Sequence, residues 1–110
     1  MARYRTEAEA LEDGYRVEHR PEHHDFAVLH GERVVGIAHY TLRDAPSGGT
    51  IDFDHTEVVR ELRGTGLSEV LANRALTDEV VHGRRVRASC WFIDEYLAKH
   101  PELLGGTAED

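Results

Sequence analysis

The sequence predicts one α/β domain (α+β in the stricter sense). An antiparallel meander of strands leads into a strand–loop–helix–strand unit, and a short helix closes the chain. Three observations carry this. Two β-rich runs and one alternating run follow one another over residues 25–59, separated by turn-forming stretches. Gly64-Thr65-Gly66 then opens a broadly apolar helix. A further apolar run after Gly83 supplies a strand parallel to the one before that helix, reached by a right-handed crossover. With 110 residues, the chain has length for one modest core.

In chain order, residues 1–14 are polar and rich in Glu and Ala. Thr6 and Glu9 form a capping-box pattern for a turn or two of helix, which Gly14 ends. Residues 15–19 alternate weakly as a first strand, which Pro21 interrupts. Residues 25–30 and 33–42 read as an antiparallel hairpin around Gly31-Glu32. Gly36 inside the second strand marks a bulge or a close backbone approach. Residues 44–49 (DAPSGG) form a loop. From residue 50 to 59, Ile51, Phe53 and His55 alternate with Asp52, Asp54 and Thr56, the signature of a half-buried strand. The helix after the Gly loop carries Leu67, Val70, Leu71, Leu76, Val80 and Val81. It is expected to run to about Val81, with Gly83 as its C-cap. Residues 84–92 form the next strand, with Cys90 at its C-terminal end. Residues 94–99 form a second helix, stopped by Pro101.

The chemistry concentrates in residues 55–70, HTEVVRELRGTGLSEV. Two glycines two residues apart let the backbone turn sharply. Their N–H groups can point inward beside the unpaired N–H groups of the first helical turn, which makes the turn an anion cradle. Arg63 stands next to it as a phosphate partner.

Arg63-Gly64-Thr65-Gly66-Leu67-Ser68 resembles the acyl-CoA pyrophosphate loop of the GCN5-related N-acetyltransferases, Gln/Arg-x-x-Gly-x-Gly/Ala. Arg63 and Gly66 match; Ser68 stands where Gly or Ala is usual. His55-Thr56-Glu57-Val58, Cys90-x-Phe92-x-x-x-Tyr96 and His100-Pro101-Glu102 are similar to blocks of the short GCN5-like subfamily. The resemblance covers about Tyr15 to Leu103. It implies a mixed, strongly twisted sheet in which two parallel strands, here residues 51–59 and 86–92, splay apart around the CoA pantetheine arm. Backbone groups of Thr56, Glu57 and Val58 would meet the pantetheine amides. The loop from Arg63 through Leu67 to Ser68 would hold the pyrophosphate, and Cys90 and Phe92 would contact the cofactor. The boundaries that follow are a loosely attached lead-in over 1–14, an acetyltransferase domain over 15–104 and an acidic tail over 105–110. The chain is short for the superfamily, so an open acceptor side is expected.

Composition narrows the function classes. The 21 acidic and 13 basic residues give a formal net charge of -8, which argues against nucleic acid as a partner. The acidity mildly favours a cationic acceptor such as an amine, although solubility alone explains it. One cysteine cannot form an internal disulfide. No apolar run reaches membrane-spanning length and no signal-peptide core is visible, so a cytoplasmic location and no membrane partner are expected.

Four side chains are candidates for catalysis. His55 has a suitable unperturbed pKa for a general base, and a half-buried structural histidine explains it equally well. Glu57 is a second base candidate, expected on the opposite face from His55. Cys90 is either a nucleophile or a packing and cofactor contact, and the second is preferred. Tyr96 matches the tyrosine that protonates the leaving thiolate in many superfamily members; packing under the sheet is the plainer alternative. Arg84, Arg85 and Arg87 either steer CoA phosphates or form a solvated strand end. His19, His23, His24, His30 and His39 invite a metal reading, but Pro21 breaks the helical spacing and no cysteine joins them, so no metal is expected. The expected activity is direct acetyl transfer from acetyl-CoA to an amine. The alternative is a non-catalytic acyl-CoA-binding or interaction module.

Overall fold

Turn residues decide where the strands begin. The computed structural model describes residues 3–46 and 48–106. Ser47 of the expected loop, residues 1–2 of the lead-in and residues 107–110 of the tail lie outside them. Gly14 and Gly31 adopt positive φ, which only glycine takes freely, and each starts a strand within two residues. Five strands result: β1 (Tyr15–Arg20), β2 (Asp25–His30), β3 (Arg33–Arg43), β4 (Thr50–Val58) and β5 (Arg85–Arg87). They lie in the order β1-β2-β3-β4-β5. The first four are antiparallel, and β4 pairs parallel to β5. The expected meander followed by a βαβ unit is therefore what the chain forms.

Helix α2 (Leu67–Thr77) makes the crossover. It buries Leu67, Val70, Leu71 and Ala75 against Phe26, Val28, Ala38, Tyr40, Ile51 and Phe53 of the sheet. Burying each large apolar side chain is worth roughly 1.5–3 kcal/mol. Tyr40 packs its ring 6.0 Å from both Phe26 and Phe53, and its hydroxyl lies 2.6 Å from His19 Nε2. Gly36 fulfils both of its expected roles. The β2–β3 register slips beside it, between Val28 and Leu29. A Cβ there would meet Val58 at 3.2 Å and the Glu57 carbonyl at 3.3 Å.

Three expectations are corrected. First, α2 ends at Thr77, not near Val81. Asp78 takes an extended conformation (φ -79, ψ 159), and its carboxylate accepts from the Val80 N–H at 3.1 Å. It thereby caps a separate 3-10 turn, Glu79–Val81. Second, the last strand is confined to Arg85–Arg87. Beyond it, the Ser89 N–H and hydroxyl donate to the Asp52 carboxylate at 2.9 and 2.7 Å, replacing the ladder. Helix α3 (Trp91–Lys99) then begins, so Trp91 and Phe92 are its first turn and Cys90 is its N-cap. Third, the described residues of the lead-in, 3–14, are packed onto the domain and not loosely attached. Helix α1 (Glu7–Glu12) forms with Thr6 accepting from the Glu9 N–H at 3.1 Å. Tyr4 and Ala10 are part of the buried core. The Tyr4 hydroxyl donates to Asp13 at 2.7 Å, and Arg74 of α2 donates to Glu7 at 2.6 Å.

Candidate active site

β4 and β5 stay together for three residue pairs, Thr50↔Arg85 to Asp52↔Arg87. The Cys90 N–H then donates to the Phe53 carbonyl at 3.0 Å, and the chain turns into α3. From Asp54 to Val58, β4 keeps β3 on one edge. Among the described residues no strand runs along the other. A cleft of about 690 Å³ opens there, walled by Thr56, Val58, Arg63, Ser68, Cys90 and Phe92.

The free edge of β4 is equipped to bind. The Val59 N–H donates to the Val35 carbonyl at 2.9 Å. Ladder bonds in an antiparallel pair alternate, so the backbone groups of Val58 and Thr56 face away from β3, into the cleft. The Val58 carbonyl accordingly accepts from Arg63 Nε at 3.4 Å.

Two helix N-termini open on the same space. Gly66 caps α2 in the left-handed region, φ 98 and ψ 0, and Gly64 has φ 82. Neither value suits a residue with a Cβ. Thr65 between them is tied down by its hydroxyl, which donates to the Leu62 carbonyl at 2.6 Å. The first N–H groups of α2 have no intrahelical acceptor and carry partial positive charge. The same holds for α3, which starts at Trp91 on the other wall. At this end of the cleft Arg63 and the first-turn N–H groups supply donors suited to an anionic group, whereas the carboxylates Asp54 and Glu57 line its other end.

A bulge in β4 shapes the mouth. His39 pairs with His55 and Tyr40 with Phe53, so Asp54 is the extra residue. The bulge moves His55 off the face of Ile51 and Phe53, which corrects the simple alternation. His55 is exposed on the opposite face, and its Nε2 lies 3.1 Å from Glu57 Oε1. The two residues share a face, as period 2 requires, contrary to the expected separation. Asp54 meets His39 Nδ1 at 2.7 Å and accepts from the Thr41 hydroxyl at 2.6 Å. Partial burial pushes the Asp54 carboxyl upward. The hydrogen bonds from Thr41 and His39 outweigh that and hold it below its ordinary range.

The family described as GCN5-related N-acetyl-transferase matches residues 25–105. The chain belongs to that family. Its curated relatives include Protein NATD1 of Mus musculus, 34% identical over 101 residues that make up 87% of each chain. Protein NATD1 of Homo sapiens is 34% identical over 97 residues, 84% of this chain and 81% of that one. A V. cholerae integron cassette protein from the mobile metagenome aligns in structure at 21% identity and a TM-score of 0.49. That alignment covers 87% of this chain and 56% of the other.

Membership in the N-acetyltransferase family gives the cleft its chemical context. Of the residues picked out from sequence, Thr56, Val58, Arg63, Ser68, Cys90 and Phe92 do converge on it, with His55 and Glu57 at its mouth; Gly64, Thr65 and Gly66 are not among its walls, and Leu67 is buried in the core. The Cys90 thiol lies 3.6 Å from the Thr56 hydroxyl. Tyr96 is not part of the lining; its ring lies 4.3 Å from that of His100 and against the core. Arg84 is drawn away to Asp44 and the Val80 carbonyl. Arg85 and Arg87 line a separate groove between β5 and α3. Among the described residues no group of three or more His, Cys, Asp or Glu side chains is arranged to hold a metal. Among the described residues no helix is long and apolar enough to cross a membrane. Sequence reasoning missed Trp91, which stands 72% exposed on the cleft. It also missed the His39–Asp54–Thr41 group, whose only sequence signal is a run of polar residues at the middle of β4.

Proposed function

We propose that this family member transfers an acetyl group from acetyl-CoA to an amine by direct attack in the cleft between β4 and α3. One observation carries the reading: Arg63 and Ser68, which flank the glycine turn at the start of α2, and the unpaired edge of a splayed strand face the same space. Arg63, Ser68 and the N–H groups of the turn hold the pyrophosphate. The Thr56 and Val58 backbone groups bind the pantetheine amides, and a backbone N–H near Val58 polarises the thioester carbonyl. With its Nε2–H donated to Glu57, His55 keeps Nδ1 free to accept the amine proton, directly or through a water. The new C–N bond forms as the C–S bond breaks, and CoA leaves as the thiolate. Most of the protein's contribution is positioning. The proposal includes a cytoplasmic setting and no nucleic-acid partner, in keeping with the single cysteine and the acidic balance.

Cys90 is assigned to cofactor contact. Its thiol faces a hydroxyl, and no charged side chain is bonded to it. The test is acetyl-CoA turnover against a panel of amines, with intact-protein mass spectrometry after acetyl-CoA alone. Turnover without a protein adduct, retained in Cys90→Ala, is expected. An added acetyl group that Cys90→Ala abolishes and an amine chases off would establish a covalent route. Tight CoA binding without turnover on any amine would favour the acyl-CoA-binding module instead.

A further inference from the structure

We propose that Arg3 and Tyr4 are positioning residues of the cofactor site, clamping the glycine turn in its phosphate-binding form. The inference rests on the reading of the turn as the CoA pyrophosphate site. The N–H groups of Arg3 and Tyr4 both donate to the Thr65 carbonyl, each at 2.8 Å. Thr65 lies between Gly64 and Gly66, both at positive φ. Glycine crosses between backbone wells readily, so the Thr65–Gly66 peptide is the unit of this loop most prone to flip. In a planar trans peptide the carbonyl and the next N–H point in opposite directions. Holding the Thr65 carbonyl toward the N-terminal segment therefore aims the Gly66 N–H away from it. The same orientation places that N–H with the first-turn donors of α2.

The clamp is itself anchored. Tyr4 is buried, its hydroxyl donates to Asp13 at 2.7 Å, and its ring packs 5.6 Å from that of Tyr15. Glu7 of α1 receives Arg74 of α2 at 2.6 Å. The segment thus grips both the turn and the helix that the turn opens. Neither Arg3 nor Tyr4 walls the cleft. Their action on the ligand passes through the Thr65–Gly66 peptide.

Arg3 is exposed, which permits a test by backbone chemistry. Arg3→Pro deletes one clamping N–H, whereas Arg3→Ala keeps it and loses the same guanidinium. In calorimetric titrations, Arg3→Pro should bind CoA about fivefold more weakly than Arg3→Ala, the effect of one net hydrogen bond. Pantetheine, which lacks the pyrophosphate, should bind both variants equally. Equal CoA affinities in the two variants would overturn the clamp and leave the proposed function standing. Failure of the unaltered protein to bind CoA would overturn both. Should Arg3→Pro not fold, linkage supplies the decisive measurement on the unaltered chain. CoA must tighten the clamp by the factor by which the clamp tightens CoA. Amide exchange at Arg3 and Tyr4 should slow about fivefold on saturation with CoA and stay unchanged with pantetheine. Unchanged exchange with CoA would refute the clamp.

Discussion

Replacing Gly36 with alanine puts a methyl group into the gap between β3, β4 and α2. The new Cβ would lie 3.2 Å from Val58 Cγ2, 3.3 Å from the Glu57 carbonyl oxygen and 3.4 Å from Leu71 Cδ1. The two side chains can turn aside. The carbonyl belongs to the backbone of β4 and cannot move without shifting the strand. Overpacking of this kind costs about 1–3 kcal/mol. Alanine also restricts the unfolded chain, which returns about 0.4–1 kcal/mol. The net expectation is a loss of about 1–2 kcal/mol, or a fall in Tm of about 4–8 °C, read by calorimetry. Glu57 and Val58 line the cleft, so CoA affinity should drop as well. A double-mutant cycle sharpens the test. Val58→Ala removes the nearest clashing atom, so the double variant should be more stable than the summed single effects by over about 0.5 kcal/mol. A Tm at or above that of the unaltered protein, or strict additivity in the cycle, would refute the crowding.

Three further outcomes are expected. Gly66→Val forces a β-branched residue to φ 98 at the cap of α2. CoA affinity should fall more than tenfold at a stability cost of about 1–3 kcal/mol, as for a strained residue; unchanged calorimetric affinity in a folded variant would remove the turn from the site. Arg63→Ala should weaken CoA far more than pantetheine, and equal losses for both ligands would contradict its role with phosphate. Thr41→Val removes a hydrogen bond that lowers the Asp54 carboxyl, so an NMR titration should show Asp54 moving up toward its ordinary 3.8. A depressed carboxyl stabilises the fold above its unfolded pKa, and that contribution is lost as pH falls through the folded value. The stability gap between the unaltered protein and Thr41→Val should therefore be present at neutral pH and narrow below about 3.8. A gap independent of pH would mean that Thr41 acts only through packing.

What the sequence could reveal was local. The β2–β3 hairpin was legible because β-rich runs flank a glycine turn, and such turns are decided within a few residues. The glycine turn before α2 was legible for the same reason: Gly64 and Gly66 announce a backbone that no other residue adopts easily. The pairing of His55 with Glu57 was also within reach, since residues two apart on a strand share a face. What remained hidden depended on distant partners. Trp91 and Phe92 serve a strand or a helix equally well. Asp52, 37 residues earlier than Ser89, captures its N–H and hydroxyl and ends the ladder. The reversal at Asp54 is a mismatch between β3 and β4, a property of two strands and not of either one.

The order of elements, the parallel crossover and the position of the glycine turn were thus determined by the sequence alone, through glycine placement and hydrophobic period. Tertiary structure decided which face His55 presents, how early β5 gives way to α3, and that Tyr4 is core. A lone aromatic in a polar stretch has no periodicity to read. Its burial depends on a pocket that exists only after α1, α2 and the turn at Thr65 have come together.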